Sequence, residues 1–196
     1  MLTSSEKSTL RKKLDQYEGT VPHMYLDSKG YVTVGTGHLL SSVASAQKLA
    51  FVHAKTGKAA TAEEIKDEFE NVKKQAKNRL ASYYKKFTSL KLKKADIDRL
   101  TNQHITTFHK ELKKIYPEFG RYPSEVRLAL FDMIFNLGMT NLKNKWPSFN
   151  KYIKAKDWAN AALQSKRKPP VSAARNQYVK GLLEKAAKNA VAKTKP

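Results

Sequence analysis

The sequence predicts an α+β fold, mostly helical, and three observations carry that prediction. Apolar residues recur at helical spacing in most blocks of the chain, one passage near the N-terminus alternates around a tight turn instead, and no repeat or low-complexity linker separates the blocks. At 196 residues the chain is long enough for one generous domain or two small lobes sharing a core. Its 40% hydrophobic and 10% aromatic content, arranged in periodic blocks, is more than a solvated, disordered chain needs.

At the N-terminus, Thr3-Ser-Ser-Glu6 is a capping box, and Leu10, Leu14 and Tyr17 then share one face of a helix that ends near Gly19. Pro22 bars any helical continuation. "MYLDSKGYVTVG" alternates in hairpin style around Asp27-Ser-Lys-Gly30, a type I turn with Asp first and Gly fourth. "SSVASAQKLAFVHAKTG" returns to helical signals with a glycine stop, and Thr61-Ala-Glu-Glu64 is a second capping box opening a long amphipathic helix through Tyr84. Residues 93–116 form another helix. After Pro117, Gly120 and Pro123, "SEVRLALFDMIFNLG" is the most apolar helix and the expected core element, stopped by Gly138. Two short helices run to Pro169-Pro170, and a last helix from Val171 loses apolar content toward its end.

Composition excludes several chemistries. Without cysteine there is no disulfide framework, thiolate metal site or thiol nucleophile. The N-terminal "MLTSSEKSTLRKK" has no signal-peptide pattern and no run approaches the roughly 20 apolar residues that span a bilayer, so no membrane insertion is expected and any extracytoplasmic work requires delivery by something else. The formal charge is +21, and residues 151–196 hold twelve Lys or Arg against two Asp or Glu. Such a field attracts polyanions: nucleic acid, anionic lipid headgroups and bacterial wall polymers all qualify, and charge alone does not choose among them.

Glu18, at a helix end, and Asp27, opening a turn nine residues later, are close enough in sequence for a chain reversal to bring both to one cleft. Paired carboxylates suit glycosidic cleavage, in which one is kept protonated to donate to the leaving oxygen while the other stabilises positive charge or activates water. Thr33, on the strand leaving the turn, offers a hydroxyl to orient that water. Each residue taken alone also has an ordinary role as a solvated, capping or turn group.

The longer string "YEG…YLDSKGYVTVGTGHLL" resembles the signature of the phage-type lysozymes of glycoside hydrolase family 24, the T-even-phage kind. "LKKADIDRLTNQHI" is similar to that family's helix between two lobes, "ALFDMIFNLGMT" to its buried central helix, and "KDWANAAL" to the segment before its terminal Arg-bearing helix. The resemblance implies a two-lobe lysozyme-like fold: about 15–90 a catalytic α/β lobe with a small antiparallel sheet, and 1–14 with 91–196 a helical lobe entered by a helix near 93–116. It implies a muramidase that cuts peptidoglycan between N-acetylmuramic acid and N-acetylglucosamine by inversion, with Glu18 as general acid, Asp27 positioning or activating water and Thr33 beside it. Two departures stand out. A basic insertion near 62–88 is expected to shape a cleft edge or a wall-binding face. His104 stands where the pattern suggests an acidic partner for His38, so His38 must find another partner or sit neutral.

Tyr25, Gly37, Asn136 and Arg175 are the expected substrate-binding positions. Asn136 offers an amide for acetamido and hydroxyl groups and Arg175 a bidentate fork for carboxylates, with core support as the competing role for both. His38 is read as a structural hydrogen-bonding residue near the site. Trp146, Phe149 and Trp158 are expected to fill the second lobe. No metal site and no cofactor are expected, because His23, His53, His104 and His109 show no ligand spacing, and Gly35-Thr-Gly37 lacks the rest of a phosphate loop. The chain is expected to act as a monomer on peptidoglycan, in the periplasm or on the cell wall, after release through a phage pore or delivery by a secretion system. In the latter case, as a toxin domain, it leaves room for an immunity protein, whose existence the sequence does not decide. No specific nucleic-acid partner is expected; a nucleic-acid-binding or membrane-active basic module without catalysis is the alternative reading.

Overall fold

The computed structural model describes residues 2–194, apart from the side chains of Glu18, Lys193 and Thr194. Two compact units emerge: Leu14–His104, and the segment up to Lys13 together with the chain from Ile105 onward. The boundaries fall inside two helices, α1 (Ser4–Glu18) and, further along, α5 (Lys94–Ile115).

Local signals explain how α1 begins and ends. The Thr3 amide donates to Glu6 Oε2 at 2.7 Å and the Glu6 amide to Thr3 Oγ1 at 3.2 Å, the reciprocal bonds of a capping box. Gly19, at φ +72°, provides the left-handed residue that stops the helix.

In the first unit β1 (Val21–Leu26), β2 (Val32–Gly35) and β3 (His38–Leu39) make an antiparallel sheet in that order, with Tyr25 opposite Thr33 and Leu26 opposite Val32. Met24, Leu26, Val32 and Val34 alternate into a core shared with Phe51, Ile65, Phe69, Val72 and Tyr84. A short helix, α2 (Val43–Gln47), opens on a Ser42/Ser45 capping box, and the chain then forms β4 (Val52–His53). The helix expected over 41–57 is therefore only five residues long. The apolar stretch after it pairs antiparallel with β5 (Leu90–Lys91), Val52 standing opposite Lys91, a distant partner that local periodicity does not reveal.

The second capping box forms as expected at Thr61 and Glu64 and opens α3 (Ala62–Lys73). Ile65, Glu68, Phe69 and Val72 share its buried face. The long helix predicted to reach Tyr84 ends at Lys73, and a separate short turn, α4 (Ala81–Tyr84), comes after it. No residue between Val72 and Tyr84 is buried, so continued helix would gain no packing there. α5 comes next, within one or two residues of its predicted span.

The second unit is helical throughout: α6 (Ser124–Lys145), α7 (Pro147–Lys154), α8 (Trp158–Leu163) and α9 (Ala173–Thr194). Between Val126 and Ile134, α6 is buried nearly all round; its helical geometry breaks at Gly138 (φ 72°, ψ 161°) and then resumes, so the predicted stop is a kink. Phe149 and Trp158 are buried, and the Trp158 ring meets Tyr122 edge-on at 5.2 Å. Asp132, inside α6, lies 2.7 Å from Arg167 Nη1 and 3.1 Å from Arg175 Nε, all three residues being buried.

Candidate active site

The turn after β1 is built around Asp27. Its carbonyl accepts from the Gly30 amide at 2.9 Å, which closes the turn, and Gly30 itself sits at φ +81°. Oδ1 of Asp27 accepts two backbone amides, Lys29 and Tyr31, each at 2.9 Å. Oδ2 takes no hydrogen bond among the described residues, so one carboxylate oxygen is anchored and the other is available.

Tyr31 connects Asp27 to Thr33. Its amide donates to Asp27 Oδ1, and its carbonyl accepts both the Asp27 amide at 2.9 Å and the Thr33 hydroxyl at 3.0 Å. Thr33 is 2% exposed, and its single hydroxyl proton is committed to Tyr31. The Thr33 oxygen retains only acceptor capacity. By strand alternation Asp27, Tyr25, Tyr31 and Thr33 share the sheet face opposite Met24 and Val34, with Asp27 and Thr33 as diagonal neighbours. A water donating to Thr33 Oγ1 and to Asp27 Oδ2 would have both protons occupied and a lone pair free.

His38 Nδ1 lies 2.9 Å from His104 Nε2, with the rings tilted at 60°. His38 thus finds its partner in His104 itself, the residue standing where the family pattern suggests an acid, and one ring donates to a lone pair of the other. Burial pushes His38 below the usual imidazole range; it does the same to His104, where His38 adds a further lowering. Beside this pair, buried Thr101 Oγ1 lies 3.4 Å from Thr36 Oγ1 and donates to the Ile97 carbonyl at 2.9 Å.

The remaining predicted positions are spread over both units. Glu18 closes α1, and its side chain lies outside the described residues. Tyr25 is half-buried on β1, and Gly37 is exposed in the bend before β3 at φ +75°. Asn136 and Arg175 belong to the other unit. Asn136 is half-buried on α6, two residues before the kink. Arg175 is 5% exposed, with Nε committed to both oxygens of Asp132 at 3.1 Å. The expected carboxylate partner is therefore internal, and the core-support role applies. Sequence reading missed Tyr31, because its contribution comes from the backbone, which no side-chain pattern signals. It also missed Lys77, whose stem packs on Gly30. Among the described residues no group of three or more His, Asp or Glu is placed to hold a metal ion, and no helix is long and apolar enough to cross a membrane.

Residues 15–90 match the family model described as phage lysozyme. That span lies within the sheet-bearing unit and includes Glu18, Asp27 and Thr33. A probable T4-type lysozyme 1 of Dictyostelium discoideum is 25% identical over 160 residues, covering 81% of this chain and 82% of the relative. The sheet-bearing unit is thus similar to phage lysozymes, and about four-fifths of the chain is similar to a protein described as a probable T4-type lysozyme.

Proposed function

We propose that the protein cleaves the β-1,4 bond between N-acetylmuramic acid and N-acetylglucosamine with inversion, and so lyses bacterial cell walls. Glu18 is the general acid that protonates the leaving oxygen, and Asp27 positions and deprotonates the attacking water. The observation that carries this reading is the Asp27–Tyr31–Thr33 network, which leaves one carboxylate oxygen and one hydroxyl oxygen, both acceptors, on the same sheet face. A water held between them presents its lone pair while Asp27 takes the proton, as inversion requires. General acid–base assistance of this kind is worth about 10²- to 10⁴-fold. Tyr25 and Gly37 remain the proposed sugar contacts. The protein works alone, without cofactor, on the wall that phage release or secretion delivers it to.

The test is digestion of purified peptidoglycan by wild type, Glu18→Gln and Asp27→Asn, with products identified by mass and by their new reducing ends. Muramic acid reducing ends from wild type, with about a hundredfold loss or more in either variant, support the assignment. Full activity in Asp27→Asn removes Asp27 from the mechanism, and glucosamine reducing ends refute the bond assigned.

A further inference from the structure

Residues 71–95 contain nine Lys or Arg and no Asp or Glu. A run this cationic repels itself and, unsupported, stays extended. Here it is braced from below. Tyr84, fully buried, donates its hydroxyl to the Ala76 carbonyl at 2.7 Å; Gln75 Nε2 donates to the Asn71 carbonyl at 2.9 Å, and Asn71 Nδ2 to the Phe87 carbonyl at 3.1 Å. Asn78 turns the chain through the left-handed region at φ +57°. Lys86 and Arg79 lie over the Tyr83 ring at 4.5 and 5.8 Å, so their charges are also held in place.

One side chain of this segment reaches the candidate active site. A Cβ on Gly30 would stand 2.7 Å from Lys77 Cδ and 2.9 Å from Lys77 Cε, so the Lys77 stem occupies the space where any other residue would carry a side chain. Gly30 is the fourth residue of the Asp27 turn, and the Lys77 ammonium is one bond beyond Cε. It pairs with neither Asp27 nor another carboxylate among the described residues. Leu80, three residues on, is 81% exposed.

The chemistry of the partner is set by the position. The glycan of peptidoglycan is uncharged along its backbone, and the anionic groups nearest the scissile bond are the free carboxylates of the stem peptide carried by the muramic acid. We propose that Lys77 is a specificity-determining residue that reads a stem-peptide carboxylate beside the Asp27 turn. This rests on the muramidase reading above. A lysine suits the task because it meets a single carboxylate oxygen as a point charge from a flexible stem, and the surrounding cations raise the local concentration of an anionic strand.

The experiment compares wild type with Lys77→Met, which keeps an unbranched stem against Gly30 and removes the charge, and with Lys77→Arg. Each acts on native peptidoglycan, on peptidoglycan with its carboxylates chemically amidated, and on glycan strands stripped of their peptides. Lys77→Met is expected to raise the apparent KM on native material about two- to fivefold, the worth of one exposed ion pair, with kcat unchanged. It should leave the other two substrates unaffected, and Lys77→Arg should restore wild-type behaviour. Equal loss on all three substrates, or no loss on native material, overturns the proposal. Sedimentation of the Glu18→Gln variant, with and without Lys77→Met, on native and amidated peptidoglycan separates the two readings. Lys77-dependent, amidation-sensitive binding without any hydrolysis by wild type sinks the muramidase reading alone. Hydrolysis without that dependence sinks this one alone.

Discussion

Replacing His104 should change how pH acts on stability, and an aspartate there should reverse the sign. In the native fold His38 and His104 share one hydrogen bond at 2.9 Å, and burial holds both imidazoles below their ordinary value of 6.5. Below pH 6.5 the unfolded chain therefore binds protons that the folded chain refuses. Stability is complete above that pH and is lost as pH falls toward the folded values, at up to about 1.4 kcal/mol per pH unit for each histidine. For the pair the steepest slope is about 2.7 kcal/mol per unit. His104→Asn removes one titrating ring and should halve that slope. His104→Asp gives His38 a carboxylate, raising its folded pKa above the unfolded one. Its contribution is then present below about pH 6.5 and lost as pH rises through the raised value. The assay is urea unfolding at about 25 °C from about pH 5 to 8, comparing each variant with wild type so that other titrating groups cancel. An unchanged slope in His104→Asn, or the same slope sign in His104→Asp as in wild type, refutes the reasoning.

Three further outcomes are expected from the geometry. Asp132→Asn leaves buried Arg167 and Arg175 without their shared carboxylate, which should cost about 3–5 kcal/mol and lower Tm by about 10 °C in differential scanning calorimetry; a shift under about 2 °C would show the triad to be dispensable. Gly30→Ala should destabilise by about 1–2 kcal/mol, from the φ of +81° and from collision with Lys77. In the double variant with Lys77→Ala only the steric part should be recovered, and strict additivity in denaturant titrations would contradict the contact. Tyr84→Phe removes the bond to Ala76 and keeps the packed ring, so it should lose about 1 kcal/mol in the same titrations and weaken sedimentation with peptidoglycan; unaltered binding would mean the loop holds its shape without this brace.

The features legible in the sequence were mainly local. The Thr3/Glu6 and Thr61/Glu64 caps and the Asp27–Gly30 turn are set by residues three apart, and their bonds form where those residues stand. The β4–β5 pair and the end of α3 depend on partners tens of residues away, or on the lack of anything to bury, and periodicity carries neither. Arg175 shows the same division at the level of a side chain. Its preference for a carboxylate was legible, but the carboxylate is Asp132, 43 residues earlier, rather than one on a substrate. His38 was recognisable as a hydrogen-bonding residue, whereas a second imidazole as its partner became apparent only when β3 met α5.

The basic segment also constrains how its role can be probed. Val72, Phe69 and Tyr84 belong to the same cluster as Met24 and Val34 of the sheet, so cutting the segment out would remove core as well as charge. Glu68 strengthens this point. Its carboxylate accepts the Ser89 amide at 2.6 Å and the Leu90 amide at 3.0 Å, tying α3 to β5. Burial raises its pKa above the ordinary carboxylate value, and the two amides only partly offset that. With the folded pKa above the unfolded one, ionising Glu68 weakens the fold as pH rises past about 4.5. An insertion held by a buried carboxylate and a buried tyrosine is part of the fold that presents Asp27. Lys77 therefore stands beside that turn whether or not a substrate is present, and the informative perturbations are those that change a charge at the surface while leaving Glu68, Val72 and Tyr84 alone.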